Sequence, residues 1–471
     1  MSYVPHSDAD RQAMLAEIGV EGVEELFVDV PEAVRYPEVK LPRPLSEMEI
    51  LAELQAMSER NADLNHYACF LGAGAYDHFV PSVVGHVTGR SEFYTAYTPY
   101  QPEVSQGTLQ SIFEYQSMVC ALTGMEAANA SHYDGATSMA EAVIMALAVG
   151  RGKRKKVVVA PTVHPEYRAT VRTYTQGMGL TIVGDEAPHG EGVPPTSLLL
   201  LPPDLQSGAG AGLERLKALI DDDTACVIVQ NPDFFGQLES PAALQALADA
   251  VHEAKALLIV SADPISLGLF KPPGEYGADI VVGEGQAMGN HPNFGGPYLG
   301  YFTCKQKHAR KMAGRLIGQT VDSKGRRGFV MTLVAREQHI RRERATSNIC
   351  TNEALVALAA GVYLAAMGKR GLRTVAELCY HKAHYAARQI GALEGFDVIG
   401  VRPFFKEFVV RCPMPVAELN KHLLEDWCIV GGYDLGRDYA GMENYMLLCV
   451  TEMNTQEEMD RLVKALWEVV S

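Results

Sequence analysis

Between residues 156 and 310 the chain alternates short apolar runs with amphipathic stretches, and no other feature constrains the fold as strongly. The spacing predicts strands at 156–160, 180–183, 225–230 and 257–261, with helices at 164–176, 213–220 and 241–256. A further apolar run at 198–201 reads as a candidate strand. The strands are apolar throughout rather than at every second residue, which requires both sheet faces to be covered. Strand–helix–strand order then makes the sheet largely parallel. The run GAGAG at 208–212 is not a dinucleotide fingerprint, because Leu213 follows and no acidic ribose partner is evident; it reads as a flexible loop before a helix.

The stretch 277–301, GADIVVGEGQAMGNHPNFGGPYLGY, extends this pattern with a strand at 279–282, a glycine-rich loop and a second strand from Tyr298. Upstream, the strand at 257–261 leads into Asp263. Many pyridoxal-phosphate enzymes share this layout: the aspartate pairs with the pyridinium nitrogen, and a lysine at the start of the loop anchors the aldehyde. Here that place holds Gln286-Ala287-Met288, and no lysine occurs between Lys271 and Lys305. Lys271, within FKPPG, reads as a surface residue, and Lys305 follows a strand and opens a helix. Asp263 precedes Pro264, so a turn-forming role stands beside the cofactor role. Earlier, ASHYDGATSMAEAVIMALAVG predicts a turn at Asp134-Gly135 and a helix over 138–149. Such a helix start suits an anion, or is simply capped, and Asp134 would repel a phosphate. Gly135, Asp263, Gln286 and Ala287 thus form the framework of a cofactor site without its covalent anchor.

A chain of 471 residues suggests more than one domain. We expect an N-terminal arm over 1–65, a large α/β domain over 66–322 and a smaller C-terminal α+β domain over 323–471. In the arm, Ser46 and Glu49 make a capping box for a helix at 47–60, after a proline-rich extended stretch. Such an arm suits wrapping around a neighbouring subunit or packing as a linker. Residues 66–107 carry few helix signals and many aromatics. There Tyr94, Tyr97 and Tyr100 recur every three residues with Thr98, Gln101 and Gln106 among them, suited to lining a site for a small polar substrate or to packing in the core. A helix follows at 109–122. Beyond 323, helices are expected at 353–367, 372–390, 415–426 and 455–470, with strands at 396–399, 407–411 and 445–450. The basic cluster Arg336, Arg341, Arg342 and Arg344 reads first as a solvated face or internal ion pairs, and second as an anion site.

With 57 acidic against 41 basic residues the net charge is −16, which argues against non-specific binding to nucleic acid or to an anionic membrane. Nine cysteines without metal-ligand spacing read as reduced thiols. The start, MSYVPHSDADRQ, has no apolar leader, and no run of membrane-spanning length is evident, so a cytoplasmic location is expected.

Several strings resemble one family closely: ELFVDVP, YTPYQPEVSQGTLQ, VQNPDFFGQLE, GNHPNFGGPYLG and REQHIRRERATSNIC. They are similar to the N-terminal half of glycine decarboxylase, the P-protein of the glycine cleavage system, in the form of its separate alpha subunit. The resemblance implies a fold type I, PLP-dependent transferase-like large domain with a mostly parallel sheet. It also implies a beta subunit that carries pyridoxal phosphate on its own lysine, glycine as substrate, and the lipoyl arm of the H-protein as acceptor of the aminomethyl group, in an α2β2 assembly. Tyr94, Tyr97, Tyr100 and Gln101, with Asn293, Gly295 and Gly296 of the glycine loop, are then expected to face the partner's active site. There they would position substrate and exclude water, with no catalytic residue or metal ligand of the chain's own. Two other readings are a self-sufficient PLP lyase or transferase using a displaced lysine such as Lys305, and a non-catalytic regulatory module.

Overall fold

The computed structural model describes residues 6–185, 211–349, 352–400 and 402–470; the expected strand at 198–201 and most of the GAGAG run lie outside them. The chain divides into two units, Met1–Asn61 and Ala62–Ser471. In the first, Ser7 and Asp10 box the start of a helix Asp8–Ile18, which ends on Gly19 in the left-handed region. Ser46 and Glu49 box the helix Glu47–Ser58 as the sequence predicts, yet that helix buries no residue and exposes Met48, Leu51 and Leu54.

The second unit is built on a seven-stranded sheet. Its strands in chain order are β1 (Ala127–Ala128), β2 (Lys156–Val159), β3 (Thr181–Val183), β4 (Thr224–Gln230), β5 (Leu257–Ser261), β6 (Ile280–Glu284) and β7 (Gly300–Cys304). The spatial order is β1-β7-β6-β5-β4-β2-β3. The five strands from β3 to β6 run parallel, and β7 pairs antiparallel with both β6 and β1. Strands β5 and β6 are buried almost throughout, as apolar runs without alternation require. The helices are α1 (Gln106–Thr123), α2 (Gly135–Val149), α3 (Pro165–Thr175), α4 (Ala211–Ala218), α5 (Pro241–Glu253) and α6 (Ala354–Ile390).

Helix α2 starts at Gly135, three residues before the expected 138, because Asp134 caps it. The Thr137 N–H donates to Asp134 Oδ1 at 2.7 Å and the Asp134 N–H donates to Thr137 Oγ1 at 3.2 Å. Helix α6 is 37 residues long and breaks at Gly368, whose φ of 58° lies in the gap expected between two helices. Helix α6 is long and apolar enough to cross a membrane by length and composition alone, a run the sequence reading did not single out, but it breaks at Gly368 and packs in two cores. Its Ala360, Tyr363, Ala376 and Cys379 pack in the core under the large sheet, and its Ala383 and Ile390 in the core of a smaller one.

A hairpin of β8 (Leu316–Val321) and β9 (Arg327–Thr332) follows the large sheet, and the expected boundary at 322/323 falls in its turn. The smaller sheet holds β10 (Asp397–Ile399), β11 (Glu407–Arg411), β12 (Tyr433–Asp434) and β13 (Tyr445–Cys449), ordered β10-β11-β13-β12 and antiparallel throughout. Helices α7 (Val416–Trp427) and α8 (Gln456–Glu468) share its core. The carboxyl ends of β4, β5 and β6 therefore open towards the small sheet, the edge at which open α/β sheets bind their ligands.

Candidate functional site

Strand β6 ends on Glu284, a carboxylate inside an apolar run, and it is held by three backbone N–H groups. Gly135 at the start of α2 donates to Oε2 at 3.0 Å, while Gln286 and Leu299 each donate to Oε1 at 2.9 Å. Burial pushes the Glu284 carboxyl up to about 8, while the three donors pull it down. A carboxylate thus already sits at the turn where an anion would be cradled. Gly135 is needed for this approach, since a Cβ there would meet the Tyr167 hydroxyl and the Glu284 nitrogen.

Gln286 is fully buried and Ala287 nearly so. The Gln286 amide donates to Tyr76 O at 2.9 Å and to Asn290 O at 2.6 Å, and its oxygen accepts from Tyr76 N–H at 2.8 Å. Where an anchoring lysine would stand, the side chain is committed to closing the loop on the segment around Tyr76.

Asp263 does two jobs. Its Oδ1 accepts from Ile265 N–H at 2.8 Å and Ser266 N–H at 3.3 Å, which forms the turn expected before Pro264. Its Oδ2 lies 2.6 Å from Lys406 Nζ, beside β11 of the small sheet. Lys406 is 1% exposed. Its Nζ stands 3.4 Å from the centroid of the Tyr76 ring and 3.0 Å from His78 Nε2. Burial alone would lower the Lys406 pKa; the Asp263 carboxylate reverses this and raises it. Tyr76 donates its hydroxyl to Glu407 at 2.9 Å, and burial pushes Glu407 up to about 7. On the far side His78 Nδ1 lies 2.7 Å from Glu452. Burial would raise Glu452, but the hydrogen bond and charge of His78 bring it down to about 2.

Sequence reasoning missed Lys406, Glu284, Tyr76 and His78. Two signals were present: a lysine within PFFKEFVV and a glutamate ending DIVVGE are charges inside apolar runs, and a buried charge must be paired. The described contacts place neither Lys305, the displaced lysine named from the sequence, nor Lys271 in this network. Lys305 lies 2.9 Å from Asp279, which precedes β6 at the end opposite Glu284, and Lys271 is exposed. In the basic cluster, Arg336 donates to Met312 O and, at 2.9 Å, to Gly314 O, whereas Arg341, Arg342 and Arg344 are exposed.

The tyrosine segment is placed apart from this network. A short helix, Ser91–Tyr94, passes into irregular backbone that α1 ends. Tyr94 and Tyr97 line a cavity of about 250 Å³ with Thr98, Arg315, Asn352 and Glu353, yet remain 68% and 79% exposed. Tyr100 lies under the Arg315 guanidinium, 5.9 Å from ring centroid to Cζ, and edge-on to His339. Gln101 is exposed, as are Asn293 and Gly295, while Gly296 is half-buried. Phe294, between Asn293 and Gly295, is 90% exposed. No hydrogen bond or ring contact joins the glycine loop to the tyrosine segment among the described residues.

The family described as glycine cleavage system P-protein matches residues 1–466. The chain is 52% identical over 471 residues to a probable glycine dehydrogenase (decarboxylating) subunit 1 of Thermomicrobium roseum, covering all of both chains. It is 52% identical over 462 residues to one of Bacillus cereus, covering 98% of each. A crystal structure of glycine decarboxylase (P-protein) of the glycine cleavage system, in inhibitor-bound form, superposes with a TM-score of 0.86 at 41% identity over the whole of both chains. A sphingosine-1-phosphate lyase of Burkholderia pseudomallei, at 16% identity with a TM-score of 0.62 over 94% of each chain, shares the fold. The architecture is that of fold type I PLP-dependent enzymes.

Proposed function

The chain belongs to the glycine cleavage system P-protein family, and on that premise we propose that it is the subunit of a heteromeric glycine decarboxylase that does not hold the cofactor. One observation carries this reading: the 2.6 Å ion pair of Lys406 with Asp263. An ammonium already neutralises the aspartate that would pair with a pyridinium nitrogen. Glu284 fills the α2 turn where a phosphate would bind, and Gln286 stands where an anchoring lysine would. The residues present do not fit pyridoxal phosphate.

Pyridoxal phosphate, on a lysine of a beta subunit, supplies the electron sink for loss of carbon dioxide from glycine. The H-protein's lipoyl arm then takes the aminomethyl group. This chain's part is to complete the partner's site. Tyr94, Tyr97, Tyr100 and Gln101, with Asn293, Gly295 and Gly296, pack against it, orient the reactants and exclude water. Exposed Tyr97 and Phe294 suit a surface that a partner covers. The arm over 1–65 engages that partner, as the uncovered apolar residues of Glu47–Ser58 suggest, in an α2β2 assembly. The large domain over 66–322 and the small one over 323–471 together carry the interface. The described cysteines are all unbridged, which suits the cytoplasm.

The test is reconstitution. The isolated chain, freed of unbound pyridoxal phosphate after incubation, shows no aldimine absorbance and releases no carbon dioxide from glycine, whereas the mixture with the lysine-bearing subunit releases it. One equivalent of coenzyme trapped by borohydride on a single lysine of the isolated chain, together with turnover of glycine by that chain, would overturn the reading, and so would a mixture no more active than the partner alone.

A further inference from the structure

Four arginine or lysine side chains are buried among the described residues: Arg168, Arg315, Arg402 and Lys406. Three of them face carboxylates. Arg168 lies 3.6 Å from Asp185, Arg402 lies 2.7 Å from Asp233, and Lys406 lies 2.6 Å from Asp263. Arg315 is 6% exposed and forms no ion pair with a described residue. Among the described residues its Nε has no hydrogen-bond partner, and its only side-chain acceptor is Asn352 Oδ1 at a long 3.5 Å. Its partial compensation is the Tyr100 ring, 5.9 Å from Cζ, and a guanidinium this buried without a counter-charge is still costly, for which the usual remedy is an anion.

Arg315 also lines the cavity of about 250 Å³ bounded by the tyrosine segment. That volume lies below the ~300–1,000 Å³ of drug-sized sites, which limits the occupant to a small molecule. A second feature points the same way. Asn352, Glu353 and Ala354, at the start of the 37-residue helix α6, line the same cavity, and the helix has no side-chain cap there. Free N–H groups and the positive end of the helix favour an anion. Among the described residues on the wall, Glu353 is the one carboxylate. Burial, with Asp134 nearby, raises its pKa and so reduces the charge it presents to an anion.

We propose that this cavity binds a small carboxylate of two or three carbons, held by the Arg315 guanidinium at the start of α6 and roofed by Tyr94 and Tyr97. The inference deepens the preceding reading and rests on it in one respect, that the tyrosine segment walls a site. It extends that reading by giving the chain a ligand of its own.

The test uses the full-length chain without any partner, so its outcome is separable from reconstituted activity. Acetate, glycine, methylamine and inorganic phosphate are titrated while hydrogen exchange is followed over residues 91–100 and 352–358. Acetate and glycine are expected to slow exchange saturably in both segments, and methylamine and phosphate to leave it unchanged. R315Q is expected to weaken acetate at least tenfold, and R315K, which keeps the charge but loses the fork, to weaken it less. Equal acetate affinity in R315Q, equal binding of phosphate, or no acetate effect in the wild-type chain would each overturn the proposal. The last measurement needs no variant and stands even if R315Q fails to fold. Saturable acetate binding with an inactive reconstituted mixture would reject the partner reading and leave this site intact.

Discussion

At the scale of the residue, Lys406 and Asp263 are worth more broken than made. Removing one partner of a buried pair leaves a charge without compensation, whereas replacing both by neutral groups is far milder. K406M is therefore expected to lower the unfolding free energy by roughly 3–5 kcal/mol. K406M/D263N should recover most of that loss, as read from urea denaturation; equal losses in the two would show that the pair is not coupled. Glu284 gives a dependence on pH. Its folded-state value of about 8 lies above the ordinary 4.5, so the folded chain holds this proton more tightly than the unfolded chain. The associated stability is complete below the lower value and is lost as pH rises to the upper one. E284Q should flatten the fall in Tm across that window. It should also lower Tm overall, because an amide NH2 then faces the Gly135 N–H. Parallel curves for the two proteins would refute the assignment. Asp263 and Gln286 were legible in the sequence because each is marked by its neighbours, a strand end in one case and a loop start in the other. Lys406 and Glu284 were not, because what they replace is visible only once two distant strands meet.

At the scale of the element, helix α2 depends on its first residue. Any side chain at Gly135 must displace the Tyr167 hydroxyl and the β6 end, and G135A is expected to cost about 1–3 kcal/mol by overpacking. Calorimetry of the single variant checks this, and an unchanged Tm would show that the turn has slack. The tyrosine segment behaves oppositely. Tyr97 is largely exposed, so Y97A should leave Tm within about 2 °C of wild type. It should slow glycine turnover in the reconstituted mixture by roughly ten- to a hundredfold if the segment positions reactants. Element starts and breaks were readable where the chemistry is local, as in the Ser46 box and the gap that Gly368 occupies. The three-residue tyrosine spacing was readable but not interpretable. It marks neither a helix nor a strand, and its surroundings come from Arg315 and the start of α6, far along the chain.

At the scale of the whole molecule, the separation of Met1–Asn61 from the rest predicts that the two are energetically distinct. Deleting residues 1–61 should leave the thermal unfolding of the remainder close to that of the full chain while weakening association with the partner subunit. Sedimentation velocity of the mixture reads this directly, and undiminished association would assign the arm to a linker. The fold class was legible from the parallel β/α rhythm alone. The closing of the crevice was not, because it depends on a lysine just before β11 of the small sheet reaching an aspartate at the edge of the large one. That single bridge ties together two positions far apart in the chain. With an ammonium of the chain itself on Asp263, a change at 263 or at 406 alone strands a charge away from water, so the two are expected to tolerate replacement together better than singly.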